Sequence, residues 1–178
     1  MPGIRTWGDY ITPEFRSGVA DALHRKQARW AATGNAEHPP AGTVLAISGG
    51  GANGAFGAGL LCGWTQKGDR PEFEVITGIS TGALIAPFAF LGPQYDPALR
   101  EVYTTISTSS ILEKRGLLTA LFSDALADNR PLWKLLEKYI DESLLEAIAA
   151  EHEKGRLLLI GTVNLDSRRS VIWNIGAI

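Results

Sequence analysis

Cysteine is almost absent from this chain. The single Cys62 excludes an internal disulfide and a cysteine-based zinc site, and its apolar helical surroundings make it a core residue. Charge of one sign is not in excess either: a net charge of −2 with no long basic run leaves no electrostatic footprint for nucleic acid. Long hydrophobic runs are missing. The longest, GALIAPFAFLG at residues 82–92, is too short to span a bilayer. The opening MPGIRTWGDY lacks the apolar segment of a signal peptide. These absences lead to the expectation of a soluble or peripheral-membrane chain. There is no internal repeat and no low-complexity tract. What is present is ordinary globular composition, 45% apolar and 20% charged, over 178 residues, enough for one domain with its own core. The chain stops on the apolar VIWNIGAI, where natural ends are more often polar, so a longer parent protein is expected.

Residues 12–31 read as an amphipathic helix, with Thr12 as cap, Pro13 at the first helical position, and Phe15, Val19, Leu23 and Trp30 near one face. Residues 32–42 form a loop. Residues 43–48 (TVLAIS) are a buried strand, and 54–67 a helix with Phe56, Leu60, Leu61 and Trp64 inward. A second strand at 72–78 runs into an apolar helix at 83–91, and Asp96-Pro97 opens another. Residues 107–130 are mixed, a candidate mobile cap. Leu132, Leu135, Leu136, Tyr139 and Ile140 mark one further helical stripe, and Leu144, Leu145, Ile148 and Ala149 the next. Residues 156–165 are a third core strand and 169–175 its hairpin partner, across the turn Asp166-Ser167-Arg168. Strands alternating with helices predict a three-layer α/β fold with a mainly parallel central sheet. Residues 1–42 supply an N-terminal helix and linker, and residues 43–178 the main domain.

In such sheets chemistry gathers at the carboxyl ends of the strands, and both glycine-bearing turns follow strands. The first, SGGGANGAF, exposes backbone N–H groups at a helix start, where an anion is favoured. Gly49, Gly51 and Gly54 fit the dinucleotide pattern G-x-G-x-x-G. That reading also needs an acid at the end of the second strand, but Glu72 and Glu74 sit at its start or middle. The phosphate-loop pattern fails because no Lys-Ser or Lys-Thr follows the glycines. The second turn, GISTG, matches G-x-S-x-G, the nucleophile elbow. There Ser80 is a candidate nucleophile, with Gly78 and Gly82 relieving crowding on either side; a serine capping the next helix is the alternative. An acyl-transfer enzyme needs a nucleophile and an oxyanion site together, and the two turns supply that pair.

At these residues the chain resembles the patatin-like phospholipases, a family of serine lipid acyl hydrolases. The matching pieces are SGGGANGAFGAG and GISTG, about thirty residues apart, with LLLIGTVNLDSRRSVIWNIGAI similar to the family's central region. The resemblance covers most of residues 43–178. It implies a Ser–Asp dyad with Ser80 as nucleophile, and an oxyanion loop of Gly49, Gly50 and Gly51 completed by Gly54. It implies no cofactor or metal, and glycerophospholipids or neutral acyl lipids as substrates, with peripheral membrane contact. Residues 107–130, with Ile111, Leu112, Leu117, Leu118, Leu121 and Phe122, would then meet acyl chains or a membrane surface, or else pack as core. Many members have Arg or Lys where this chain has Asn53, which donates a hydrogen bond but brings no positive charge.

The family's aspartate lies in an Asp-Gly motif, and this chain has no Asp-Gly pair. Asp96 reads as a helix cap, Asp124 and Asp128 lie in the middle region, and Asp141 precedes a helix. Asp166 alone follows a core strand, and its position suits a hairpin turn. His24, His38 and His152 have no motif context. The base is therefore expected outside these residues; a non-catalytic relative that binds lipid or protein is the alternative.

Overall fold

The computed structural model describes residues 3–34, 39–112 and 137–178. In chain order it forms β1 (Arg5–Trp7), α1 (Pro13–Ala32), β2 (Val44–Ile47), α2 (Gly54–Lys67), β3 (Val75–Ile79), α3 (Thr81–Leu91), α4 (Asp96–Leu112), α5 (Glu142–Glu153), β4 (Leu157–Asn164) and β5 (Arg169–Asn174). The local signals account for most of these boundaries. Thr12 is extended and its side chain accepts from the Phe15 amide at 3.3 Å, with Pro13 filling the first turn of α1. Gly68, at φ 86°, closes α2 in the left-handed conformation that glycine adopts without cost. Asp141 caps α5 through a 2.8 Å bond from the Leu144 amide.

The five strands form one sheet in the order β1-β5-β4-β3-β2. β2, β3 and β4 are parallel, with Ala46 opposite Thr77 and Thr77 opposite Leu159. β5 folds back antiparallel on β4, and β1 adds antiparallel to β5 with Thr6 opposite Ile172. The fold is thus a three-layer α/β arrangement around a mixed, mostly parallel sheet. The expected strands at 43–48, 72–78, 156–165 and 169–175 all appear, trimmed or shifted by a few residues. The strand β1 was not legible, and it ties the N-terminal segment to the sheet. The candidate cap falls outside the described residues from 113 onward, as do Leu132, Leu135 and Leu136.

Helix α3 is the centre of the core. Ile85, Ala86, Phe88, Ala89 and Phe90 are all buried, among Leu61, Ile76, Leu99 and Leu158. Three helix faces differ from expectation. In α1 Ala22 is buried and Leu23 turns outward, because the 3.6-residue repeat from Phe15 reaches Ala22. In α2 the inward set is Gly54, Ala58, Leu61 and Cys62. Phe56, 77% exposed, and Leu60, 56% exposed, instead overhang the edge strand β2, where an apolar groove of about 330 Å³ opens. In α5 Leu144 and Ile148 face in as expected, Leu145 and Ala149 face out, and His152 completes the buried stripe.

The amino ends of the strands are held by buried cations. Arg156 donates to the carbonyls of Phe73 and Phe90, at 2.7 and 2.6 Å, and to Glu151 at 2.8 Å. Arg70 pairs with Asp96 at 2.8 Å and also donates to the Ala89 carbonyl, so Asp96 is a buried ion-pair partner rather than the simple cap expected. Beside them, His152 joins α5 to α1. Arg25 Nη2 lies 3.1 Å from His152 Nε2, and His152 Nδ1 lies 3.2 Å from the Arg156 carbonyl. A guanidinium only donates, so Nε2 accepts and Nδ1 carries the hydrogen. Burial, and then the Arg25 charge, hold this imidazole below its ordinary value. A depressed histidine pKa means the contribution is complete above the unfolded value of about 6.5 and is lost as pH falls through the folded value. The melting temperature is therefore expected to fall more steeply between about pH 7.5 and 5 in the parent chain than in His152→Gln, which keeps an acceptor but does not titrate. Equal slopes in calorimetry would contradict this.

Candidate active site

The sequence Gly78-Ile79-Ser80-Thr81-Gly82 turns directly from β3 into α3. Ser80 has φ 57° and ψ −124°, a conformation that costs a non-glycine residue about 1–3 kcal/mol. Its side chain makes no cap bond, against the alternative of a capping serine, and the residue is exposed. The turn exists because its neighbours lack side chains. A Cβ on Gly78 would lie 2.5 Å from the Gly82 carbonyl oxygen, and one on Gly82 would lie 2.3 Å from that of Ile47 and 2.8 Å from that of Ser48. The first turn of α3 thereby rests directly on the backbone of β2.

The other glycine turn follows β2. Gly51 takes φ 54° and opens a single tight turn, Gly51–Asn53, closed by a 3.0 Å bond from the Asn53 amide to the Gly50 carbonyl. Gly49 faces the serine: a Cβ there would sit 3.0 Å from Ser80 Cβ and 3.5 Å from Ser80 Oγ. Gly50 is exposed, Gly51 half-buried, and their amides donate to no acceptor among the described residues. Asn53 packs on Gly50 and also makes no side-chain cap bond. Gly54 begins α2, where its missing Cβ leaves room for Thr81 Oγ1, at 2.3 Å, and Tyr103 Oη, at 2.9 Å. The two turns are therefore brought together through Gly49–Ser80 and Gly54–Thr81. A hydroxyl in a strained turn next to a glycine turn at a helix start is an arrangement that acyl transfer can use.

Tyr103, from α4, is a site neighbour that the sequence reading missed. Its hydroxyl lies 2.8 Å from Thr81 Oγ1 and donates to the Thr81 carbonyl at 3.2 Å. Burial pushes the phenol above its ordinary pKa, opposed by the Thr81 hydrogen bond, so it stays protonated.

None of the described aspartates or histidines has a hydrogen bond to Ser80. Asp96 is held by Arg70. Asp141 spends its carboxylate on the Leu144 amide and the Ser143 hydroxyl, which hold it below the usual carboxylate range. Asp166 is exposed in the β4–β5 turn. β4 runs on from Gly161, the residue level with Ile79, to Asn164 before that turn starts, about 10 Å of strand. His152 packs against Arg156, at the start of β4, roughly 13 Å of strand from the elbow. His24 is exposed on α1, and Asp124, Asp128 and His38 lie outside the described residues. No group of acidic, histidine or cysteine side chains among the described residues is arranged to hold a metal, and no helix among them is long and apolar enough to cross a membrane.

Gly82→Ala is expected to destabilise the chain by about 2 kcal/mol or more in denaturant unfolding, because its Cβ meets immovable backbone. Gly59→Ala, which meets nothing within 4 Å in α2, serves as the comparison and should be neutral or stabilising. Equal effects would show that the elbow can relax.

The model of the family described as patatin-like phospholipase matches residues 45–171, which include both turns, β4 and the start of β5. No curated protein and no solved structure matches the chain. With the family model covering well over half of its length, the chain belongs to the patatin-like phospholipase family.

Proposed function

We propose that the chain is a lipid acyl hydrolase that cleaves acyl esters through Ser80. The observation that carries this reading is the approach of Gly49 to Ser80, which brings the glycine turn up to the serine turn; on this reading the amides of Gly49, Gly50 and Gly51 are the oxyanion donors. Ser80 Oγ attacks the ester carbonyl. The carbonyl oxygen becomes an oxyanion facing those amides and the positive end of α2, completed by Gly54. The C–O bond then breaks, the alcohol leaves with a proton, and water releases the acyl group from Ser80. Deprotonating the serine takes a base. The family resemblance supplies an aspartate from an Asp-Gly motif, and this sequence has none, so the base is assigned outside it. The substrate is a lipid or phospholipid, met from solution or by peripheral contact with a membrane. A non-catalytic lipid- or protein-binding role is the second reading, favoured by the absence of a carboxylate bonded to Ser80 among the described residues.

A fluorophosphonate probe, with imidazole in the buffer as proton acceptor, tests the first reading. Ser80 is expected to displace fluoride and carry the phosphonyl group in the folded chain, as read by peptide mass spectrometry. Labelling should vanish in Ser80→Ala and after heating. Label on another residue, or none on a chain that is folded by circular dichroism, contradicts the proposal, and the second outcome favours the binding role.

A further inference from the structure

The geometry points to Tyr103 and Thr81 as a positioning pair that sets Ser80 against the glycine turn. This rests on the reading of Ser80 as nucleophile and extends it to residues that do not touch the substrate. Thr81 is the residue after Ser80 and the first of α3, so its place in space sets the direction of the elbow. It is 1% exposed, and Tyr103 is 5% exposed. Two buried hydroxyls need each other, and here they are matched. Tyr103 donates to the Thr81 carbonyl at 3.2 Å, which leaves the phenol oxygen to accept from Thr81 Oγ1 at 2.8 Å. The pair thus grips both the side chain and the main chain of one residue.

The same two groups also locate the glycine turn. The space a Cβ would take on Gly54 is filled by Thr81 Oγ1 and by the Tyr103 ring and hydroxyl, at 2.3 and 2.9 Å. Gly54 follows Asn53 directly and starts α2, so its position fixes where the loop from Gly49 to Asn53 ends. One hydroxyl pair therefore references the serine turn, the glycine turn and α4 to a common point. Acyl transfer needs the nucleophile and the oxyanion donors held in register, and a displacement of about 1 Å is enough to slow such chemistry by up to about a hundredfold. Tyr103 stays protonated because burial raises its pKa, so it acts as a fixed donor and not as a base.

The test compares rates of Ser80 modification by the fluorophosphonate probe, in imidazole buffer, at a temperature where every variant is folded by circular dichroism. Tyr103→Phe keeps the ring and removes the grip; it is expected to slow labelling about tenfold or more. Thr81→Val, which fills the same volume without the hydroxyl, is expected to do the same and serves if the phenylalanine variant does not fold. Thr81→Ser restores the hydroxyl and should label at the parental rate. Across probe concentrations the loss should fall on the limiting rate of Ser80 modification and leave the half-saturating concentration unchanged, which a purely structural role would not produce. Parental rates in both Tyr103→Phe and Thr81→Val, with Ser80 labelled in the parent, overturn the positioning role alone. No labelling of Ser80 in the folded parent overturns it together with the reading on which it rests.

Discussion

The carboxyl end of the sheet depends on two places where backbone meets backbone with no side chain between. Gly78 lies against the Gly82 carbonyl, and Gly82 lies against the carbonyls of Ile47 and Ser48. These contacts let α3 begin directly above both β2 and β3, and they force Ser80 into its strained conformation. That conformation costs about 1–3 kcal/mol. Each large apolar side chain of α3 returns roughly 1.5–3 kcal/mol on burial, and Ile85, Phe88, Phe90 and Leu91 are all buried. The packing of one helix is thus large enough to hold the turn, without any cap bond from the serine side chain.

The opposite end is built by other means. Arg156 and Arg70 are buried cations, and each satisfies its guanidinium with backbone carbonyls as well as a carboxylate. An unpaired charge in such a place would cost several kcal/mol. Because the carbonyls belong to Phe73, Ala89 and Phe90, each cation closes off the end of a strand approach or a helix. The sheet therefore has a polar, tightly bonded amino end and a carboxyl end of open glycine turns. In parallel α/β sheets the second kind of end is where ligands are received.

Much of this was legible in the residues. Helix α2 was bounded correctly because glycine marks both ends, Gly54 in the turn and Gly68 at the left-handed cap. The hairpin of β4 and β5 was legible from two apolar runs and a polar turn. Which side of α2 faces inward was not. The helix is apolar nearly all round, so periodicity alone could not turn Phe56 and Leu60 outward. Three residues are too few for an alternating pattern, which hid β1. At the site, motif spacing foretold two turns at neighbouring strand ends, and the contact of Gly49 with Ser80 is their meeting. Tyr103 gave no signal. A buried phenol on an amphipathic helix looks like any core aromatic, and its partner is 22 residues away in sequence.

The pairing of β1 with β5 sets an order on how the sheet is made. Thr6 lies opposite Ile172, so β1 finds its strand partner among the described residues only at β5, after β2, β3 and β4 in the chain. Until β5 emerges, Arg5–Trp7 has no strand to pair with among the described residues, although β2 and β3 can already pair. Closing so wide a separation is entropically slow. The β1 edge of this sheet is completed only after translation has passed β5, and β1 waits without a strand partner while β2, β3 and β4 are made.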